Sequence, residues 1–126
     1  MIVGIGIDLV LIDRLERALA PEGGDRFQEL VFTAAERAAC AGRADQAQAL
    51  AARFAAKEAC LKALGTGWGE GTTLQDIEVV TGPQGRPELR LSGSAASRAR
   101  ALGATRFHVS LTHEQLVAAA VVVLEG

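Results

Sequence analysis

Residues 45–65 read DQAQALAARFAAKEACLKALG, and this stretch decides the fold. It is dense in alanine and free of proline and of any glycine before Gly65, so it predicts one helix from Asp45 to Leu64. Gly65 stands where helices commonly end on a left-handed residue. At about 100° per residue, Leu50, Phe54, Leu61 and Leu64 fall within about 80° of one another and define a buried stripe. Alanine fills most other directions, which lets neighbouring elements approach the helix backbone from several sides. Glu58 and Lys62 lie at the border of the stripe, four residues apart and facing the same way. On spacing alone they read as an ordinary surface pair worth about 0.2–0.5 kcal/mol, or as functional groups on a rigid scaffold. Lys57 projects within the apolar arc, where a charge must snorkel, find a partner or meet an anion.

Upstream of this helix, Thr33 and Glu36 have capping-box spacing, with Phe32 placed as a staple, and open a short helix ending near Gly42. The chain begins with β-branched Ile2 to Val10, interrupted by Gly4 and Gly6, which predicts a strand closely approached by another backbone or a ligand. Asp8 sits near its end. Leu11, Leu15, Ala18 and Leu19 then recur at helical spacing until Pro21-Glu22-Gly23-Gly24 breaks the pattern. Downstream, Thr72 to Thr81 and Arg86 to Leu91 read as strands around the turn Gly82-Pro83-Gln84-Gly85. Ser92 or Ser94 caps a further helix to Leu102, and Arg106 to Leu111 and Leu116 to Leu124 are two more strands. Strands flanking a helical block predict an α+β class, with residues 1–126 as a single domain.

Composition narrows the function classes. A chain of 126 residues supports one core, and 49% hydrophobic with 4% aromatic residues means a core of Ala, Val, Leu and Ile. The net charge of −2 offers no overall basic field for nucleic acid. No run of apolar residues is long enough to span a membrane, and the start MIVGIGIDLV lacks the parts of a signal peptide. Cys40 and Cys60 read as free, mostly buried thiols of a reducing compartment, so a cytoplasmic location is expected. Gly4-x-Gly6 lacks the third glycine of a dinucleotide fingerprint, and Gly65-x-Gly67-x-Gly69 follows a helix rather than opening one. His113 has no second His or Cys at zinc spacing, so His108 and His113 read as structural or ligand-contacting.

Three separated segments carry a resemblance: Gly4-Ile5-Gly6-Ile7-Asp8, then Arg53-Phe54-Ala55-Ala56-Lys57-Glu58-Ala59 through Lys62-Ala63-Leu64-Gly65-Thr66-Gly67, and Val109-Ser110-Leu111-Thr112-His113. In order and spacing they resemble the holo-acyl-carrier-protein synthases, the short single-domain type of 4′-phosphopantetheinyl transferase. Phe32-Thr33 with Glu36, and Asp76-Ile77-Glu78, are similar to further segments of that family. The resemblance implies an antiparallel sheet packed against a long central helix. It also implies transfer of the 4′-phosphopantetheine arm of coenzyme A to a serine of apo acyl carrier protein, releasing adenosine 3′,5′-bisphosphate, in fatty-acid or polyketide synthesis.

By the same resemblance, Asp8 and Glu58 would hold Mg²⁺, and Lys62 would bind the pyrophosphate. Glu58, directly or through water, would take the serine proton, making Glu58 and Lys62 the catalytic pair. Arg53, Ser110, Thr112, His113 and the turn at Gly65 and Gly67 would hold the phosphates and adenosine end of the coenzyme. Arg14 and Arg17 would face the acidic carrier protein, although Asp13 and Glu16 beside them fit a solvated face equally well. Short members of the family commonly form trimers with the site between subunits, and a homotrimer is expected here. Apolar Val117 to Leu124 has few charges to blunt an edge, which fits an interface or burial within the subunit. Val117 itself departs from the family, which often has an aromatic there. The competing reading is a noncatalytic module that binds coenzyme A or carrier protein, and a purely structural oligomer is a third.

Overall fold

The structure, a computed structural model, describes residues 1–20, 22–66 and 73–126. Its elements in chain order are β1 (Ile2–Leu11), α1 (Ile12–Ala18), α2 (Gly24–Val31), α3 (Ala34–Cys40), α4 (Gln46–Leu64), β2 (Ile77–Thr81), β3 (Pro87–Leu91), α5 (Gly93–Ala101), β4 (Arg106–His113) and β5 (Val117–Glu125). Short 3₁₀ turns occupy Leu74–Asp76 and Pro83–Gly85. Helix α4 forms where alanine density predicts it. Gly65 closes it in the left-handed region at φ 75°, with Gly65 N–H bonded to Lys62 O and Thr66 N–H to Leu61 O.

Among the described residues the strands form an antiparallel three-stranded sheet in the order β1-β5-β4 and a separate β2-β3 ribbon. The larger sheet lies on α4, and its inward residues from β5, Ala118, Ala120, Val122 and Leu124, are buried. Gly4 and Gly6 explain how close that contact is. A Cβ on Gly4 would collide with Ala63 O, and one on Gly6 with Ala59 O, so bare glycine meets helix backbone beside alanine. The expected close approach at these glycines is therefore to α4. Of the two positions open to the apolar C-terminal strand, an interface or the interior of the subunit, β5 takes the middle of the sheet, and the sheet edges are β1 and β4.

Three local expectations are corrected. Helix α2 was not anticipated, because Gly23 and Gly24 read only as a break; Gly23 takes φ 79° and starts the helix from its N-cap position. Strand β2 begins at Ile77, and the expected start at Thr72 lies outside the described residues. Side chains hold residues 74–76 out of the strand: Gln75 Nε2 donates to Phe32 O at 2.7 Å, while Asp76 turns toward α5. Asp76 also decides the start of α5. Its Oδ2 accepts from Ser94 N at 3.2 Å and Ser94 Oγ at 2.8 Å, so a carboxylate from another element satisfies that early amide. Ser92 holds the N-cap position without a side-chain bond.

Lys57 finds a partner rather than snorkelling. It is fully buried; its Nζ pairs with Glu36 Oε1 and donates to Leu74 O and Ile77 O, both at 2.8 Å. The three donors of the ammonium are thereby satisfied. Glu36 is also fully engaged. Its Oε1 accepts from Thr33 N and its Oε2 from Val79 N, both at 2.8 Å, so the expected capping box doubles as an anchor for β2. Burial pushes the Lys57 pKa down, and the Glu36 carboxylate opposes that shift. Lys57→Ala leaves Glu36 without its counter-ion, and removal of one partner from a buried pair costs about 3–5 kcal/mol. Urea denaturation should show that loss, and a change under about 1 kcal/mol would mean that the pair does not fasten α4.

Candidate active site

Along β1 the residues alternate between the two faces of the sheet, so Gly4, Gly6, Asp8 and Val10 face α4 while Ile5, Ile7, Leu9 and Leu11 face outward. The glycines bring β1 down onto the helix, and Asp8 is the next inward residue along the strand. It lines a cleft of about 390 Å³ together with Glu58 of α4, Arg14 of α1 and the rings of Phe27 and Phe54. Lys62, one turn beyond Glu58, reaches back to β1. Its Nζ donates to Ile7 O at 2.9 Å and lies 3.0 Å from Asp8 Oδ1. Asp8, Glu58 and Lys62 thus come together from two elements far apart in sequence, with Lys62 on Asp8 rather than in an incidental helical pair.

The donor set fits a hard cation. Two carboxylates on one cleft suit Mg²⁺, which commonly takes one or two carboxylates and fills its other positions with water and phosphate oxygens. Among the described residues no group of three or more His, Cys, Asp or Glu side chains is arranged to hold a metal by protein ligands alone. Phe54, read from the sequence as part of the buried stripe, is instead half-buried in the cleft wall.

Most of the remaining candidates lie elsewhere on the chain. Arg53 is about 140° around α4 from Glu58, five residues away at about 100° each. With Arg43, His113, Leu111 and Pro87 it lines a second cavity of about 290 Å³. Arg53 Nη1 donates to Ala49 O at 3.2 Å, and its buried Nε has no hydrogen-bond partner among the described residues. Arg43 is a basic member of this cavity that sequence reasoning missed, because nothing in its local pattern separates it from a solvated arginine. Its guanidinium is bound at 2.8 and 2.9 Å by Asp45, whose carboxyl it holds below the usual range.

Ser110 faces a groove with His108 and Arg86, and Thr112 shares a shallow pocket with His113 and Glu114. Gly65 forms the turn at the end of α4, and Gly67 lies outside the described residues. Arg14 and Arg17 part company. Arg14 lines the Asp8 cleft, whereas Arg17 is exposed and bonded to Asp13 at 3.0 Å, as a solvated-face pair would be. His108 is bonded to Glu125, which also accepts from Arg106; these hydrogen bonds, Arg106 first, bring the Glu125 carboxyl down to about 2. Both cysteines are buried and free, and burial pushes the Cys60 thiol up to about 12, so neither is poised as a nucleophile.

The outward face of the larger sheet is apolar. Ile5, Ile7, Leu9 and Leu11 are 54–69% exposed, and by register they lie beside Val123, Val121, Ala119 and Val117 of β5. A contiguous exposed apolar band of that kind is uncommon on a monomer. Ser110 and Thr112 of β4 border it, opposite Val121 and Ala119.

The chain belongs to the 4′-phosphopantetheinyl transferase superfamily, whose family model matches residues 4–121. Over its whole length it is 53% identical to the holo-[acyl-carrier-protein] synthase of Methylobacterium sp. (strain 4-46), covering 96% of that protein. Its fold is shared with the crystal structure of holo-[acyl-carrier-protein] synthase from Neisseria meningitidis, with a TM-score of 0.87, 33% identity and full coverage of both chains. The Bacillus anthracis holo-(acyl-carrier-protein) synthase in complex with CoA (3′,5′-ADP) matches with a TM-score of 0.80 and 38% identity, over 98% of this chain and 96% of that one. The α+β fold and the family of phosphopantetheinyl transferase enzymes expected from the sequence are both borne out.

Proposed function

We propose that this enzyme transfers the 4′-phosphopantetheine arm of coenzyme A to a serine of apo acyl carrier protein, using Asp8 and Glu58 to hold Mg²⁺. The observation that carries the reading is the shared cleft of Asp8 and Glu58 with Lys62 seated on Asp8, in a chain of this family. When bound there, Mg²⁺ supplies neutralisation of the charge that builds on the pyrophosphate. The serine oxygen bonds to the phosphorus that carries pantetheine, and the pyrophosphate P–O bond breaks. The electron pair leaves with adenosine 3′,5′-bisphosphate. Glu58, directly or through a water, takes the serine proton. Lys62 offsets charge on the leaving phosphate, a task for which a point charge on a flexible stem is suited.

Arg53, whose Nε has no partner among the described residues, joins Arg43 and His113 in one pocket, offering hydrogen-bond donors to the coenzyme's other phosphate. That pocket and the Asp8 cleft are separate cavities of one subunit, which supports a site completed by two copies. The apolar sheet face supplies a surface for assembly, and a homotrimer is the arrangement we favour. Arg14 at the mouth of the cleft is the residue best placed to meet an acidic carrier protein. Free thiols and the nature of both substrates favour the cytoplasm.

Intact mass spectrometry of an apo acyl carrier protein incubated with coenzyme A and this enzyme tests the reaction. A gain of one phosphopantetheine with Mg²⁺, lost in chelator, is expected, and Asp8→Ala or Glu58→Ala should slow it by at least about a hundredfold while circular dichroism stays native. Coenzyme A binding without transfer to any carrier protein would favour the noncatalytic module instead. Ile7→Asp on the sheet face should convert the assembly to monomers in light scattering and abolish transfer; an unchanged mass would place the interface elsewhere. Mixing Asp8→Ala with Arg53→Ala subunits should restore activity at about one quarter of sites if neighbours share each site. Mixtures as inactive as either parent would confine the site to one subunit.

A further inference from the structure

Lys62 is held against β1 by two contacts. Its ammonium lies between Ile7 O at 2.9 Å and Asp8 Oδ1 at 3.0 Å, on the carboxylate assigned to the metal. Asp8 is only 16% exposed at its side chain, so that ammonium is a close counter-ion in a cleft where water screens weakly. Lys62 is 55% exposed on a four-carbon stem, so it can swing away without disturbing the core. Arg14 adds a second positive group to the same cleft, set against the carboxylates of Asp8 and Glu58.

We infer that Lys62 competes with a divalent cation for Asp8, so that metal and coenzyme bind as a coupled pair. The inference rests on the reading that Asp8 and Glu58 hold the metal. A divalent ion and an ammonium on one carboxylate are like charges a few ångströms apart, and their repulsion weakens metal binding in the absence of coenzyme. A pyrophosphate removes the conflict. Its oxygens would take over the Lys62 ammonium and leave Asp8 free to hold the cation. By linkage, the metal then tightens coenzyme binding by the same factor as the coenzyme tightens metal binding. Lys62 in this way sets the condition for metal entry as well as contacting the leaving phosphate.

Binding of Mn²⁺, a paramagnetic substitute for Mg²⁺ counted by electron paramagnetic resonance, tests this on the full chain with and without coenzyme A. Without coenzyme, Lys62→Met should bind Mn²⁺ roughly tenfold more tightly than the parent, within the usual range of coupling between sites, and its gain in affinity on adding coenzyme A should shrink by a similar factor. Lys62→Arg, which keeps the charge, should bind Mn²⁺ as weakly as the parent. Equal or weaker Mn²⁺ binding by Lys62→Met, with native circular dichroism, would overturn the competition. Asp8→Asn tests the underlying reading separately: undiminished Mn²⁺ binding with coenzyme A would remove the metal from Asp8, and the competition with it.

Discussion

The buried pair of Lys57 and Glu36 is the constraint on which the rest of this molecule depends. An ammonium with no exposure must have every donor matched, and here the three matches come from three places: the first turn of α3, the 3₁₀ turn at Leu74 and the start of β2. Displacing any of these elements would strand a charge in apolar surroundings. The pair therefore fixes the rotation of α4 about its axis. Because Glu58 follows Lys57 directly, and Arg53 precedes it by one turn, that rotation also determines which cavity each of these side chains enters.

A second constraint acts on the opposite side of the helix. The glycines of β1 allow the sheet to rest on the α4 backbone at Ala59 and Ala63, and this brings Asp8 to the level of Glu58 and Lys62. The two carboxylates of the cleft are thus carried by two regular elements in contact, with no long loop needed to hold them. Rigid placement of this kind suits phosphoryl transfer, in which the protein's contribution is mainly position and charge.

Helix α4, its glycine stop and the Thr33 capping box were legible because each has a local signature in propensity or spacing. So was a close approach to β1, by another backbone or a ligand, since interrupting glycines in a β-branched run have few other uses; that it is the α4 backbone was not. Helix α2 was not legible: Gly23 and Gly24 mask its start, and Phe27, Leu30 and Val31 span little more than one turn, too short a run to set a period. The fate of Lys57 was equally hidden, because Glu36 is far upstream and its spacing with Thr33 already accounted for it. Of the site, Asp8, Glu58 and Lys62 were named through resemblance. Their convergence needs β1 and α4 to pack face to face, which spacing within either segment does not encode. Arg43 gave no signal, since its role depends on a cavity formed between α4 and residues more than thirty positions downstream.

The contact between Gly6 and Ala59 also restricts how this chain can diverge. Any side chain at position 6 must displace the carbonyl of residue 59, and the displacement would be felt at Asp8, two residues along the same face of the strand. No smaller residue exists to compensate from the helix side, because the obstacle is main chain. Position 6 is therefore closed to gradual drift: sequences that keep the carboxylate cluster must keep the glycine, even though the glycine has no side chain to offer any chemistry.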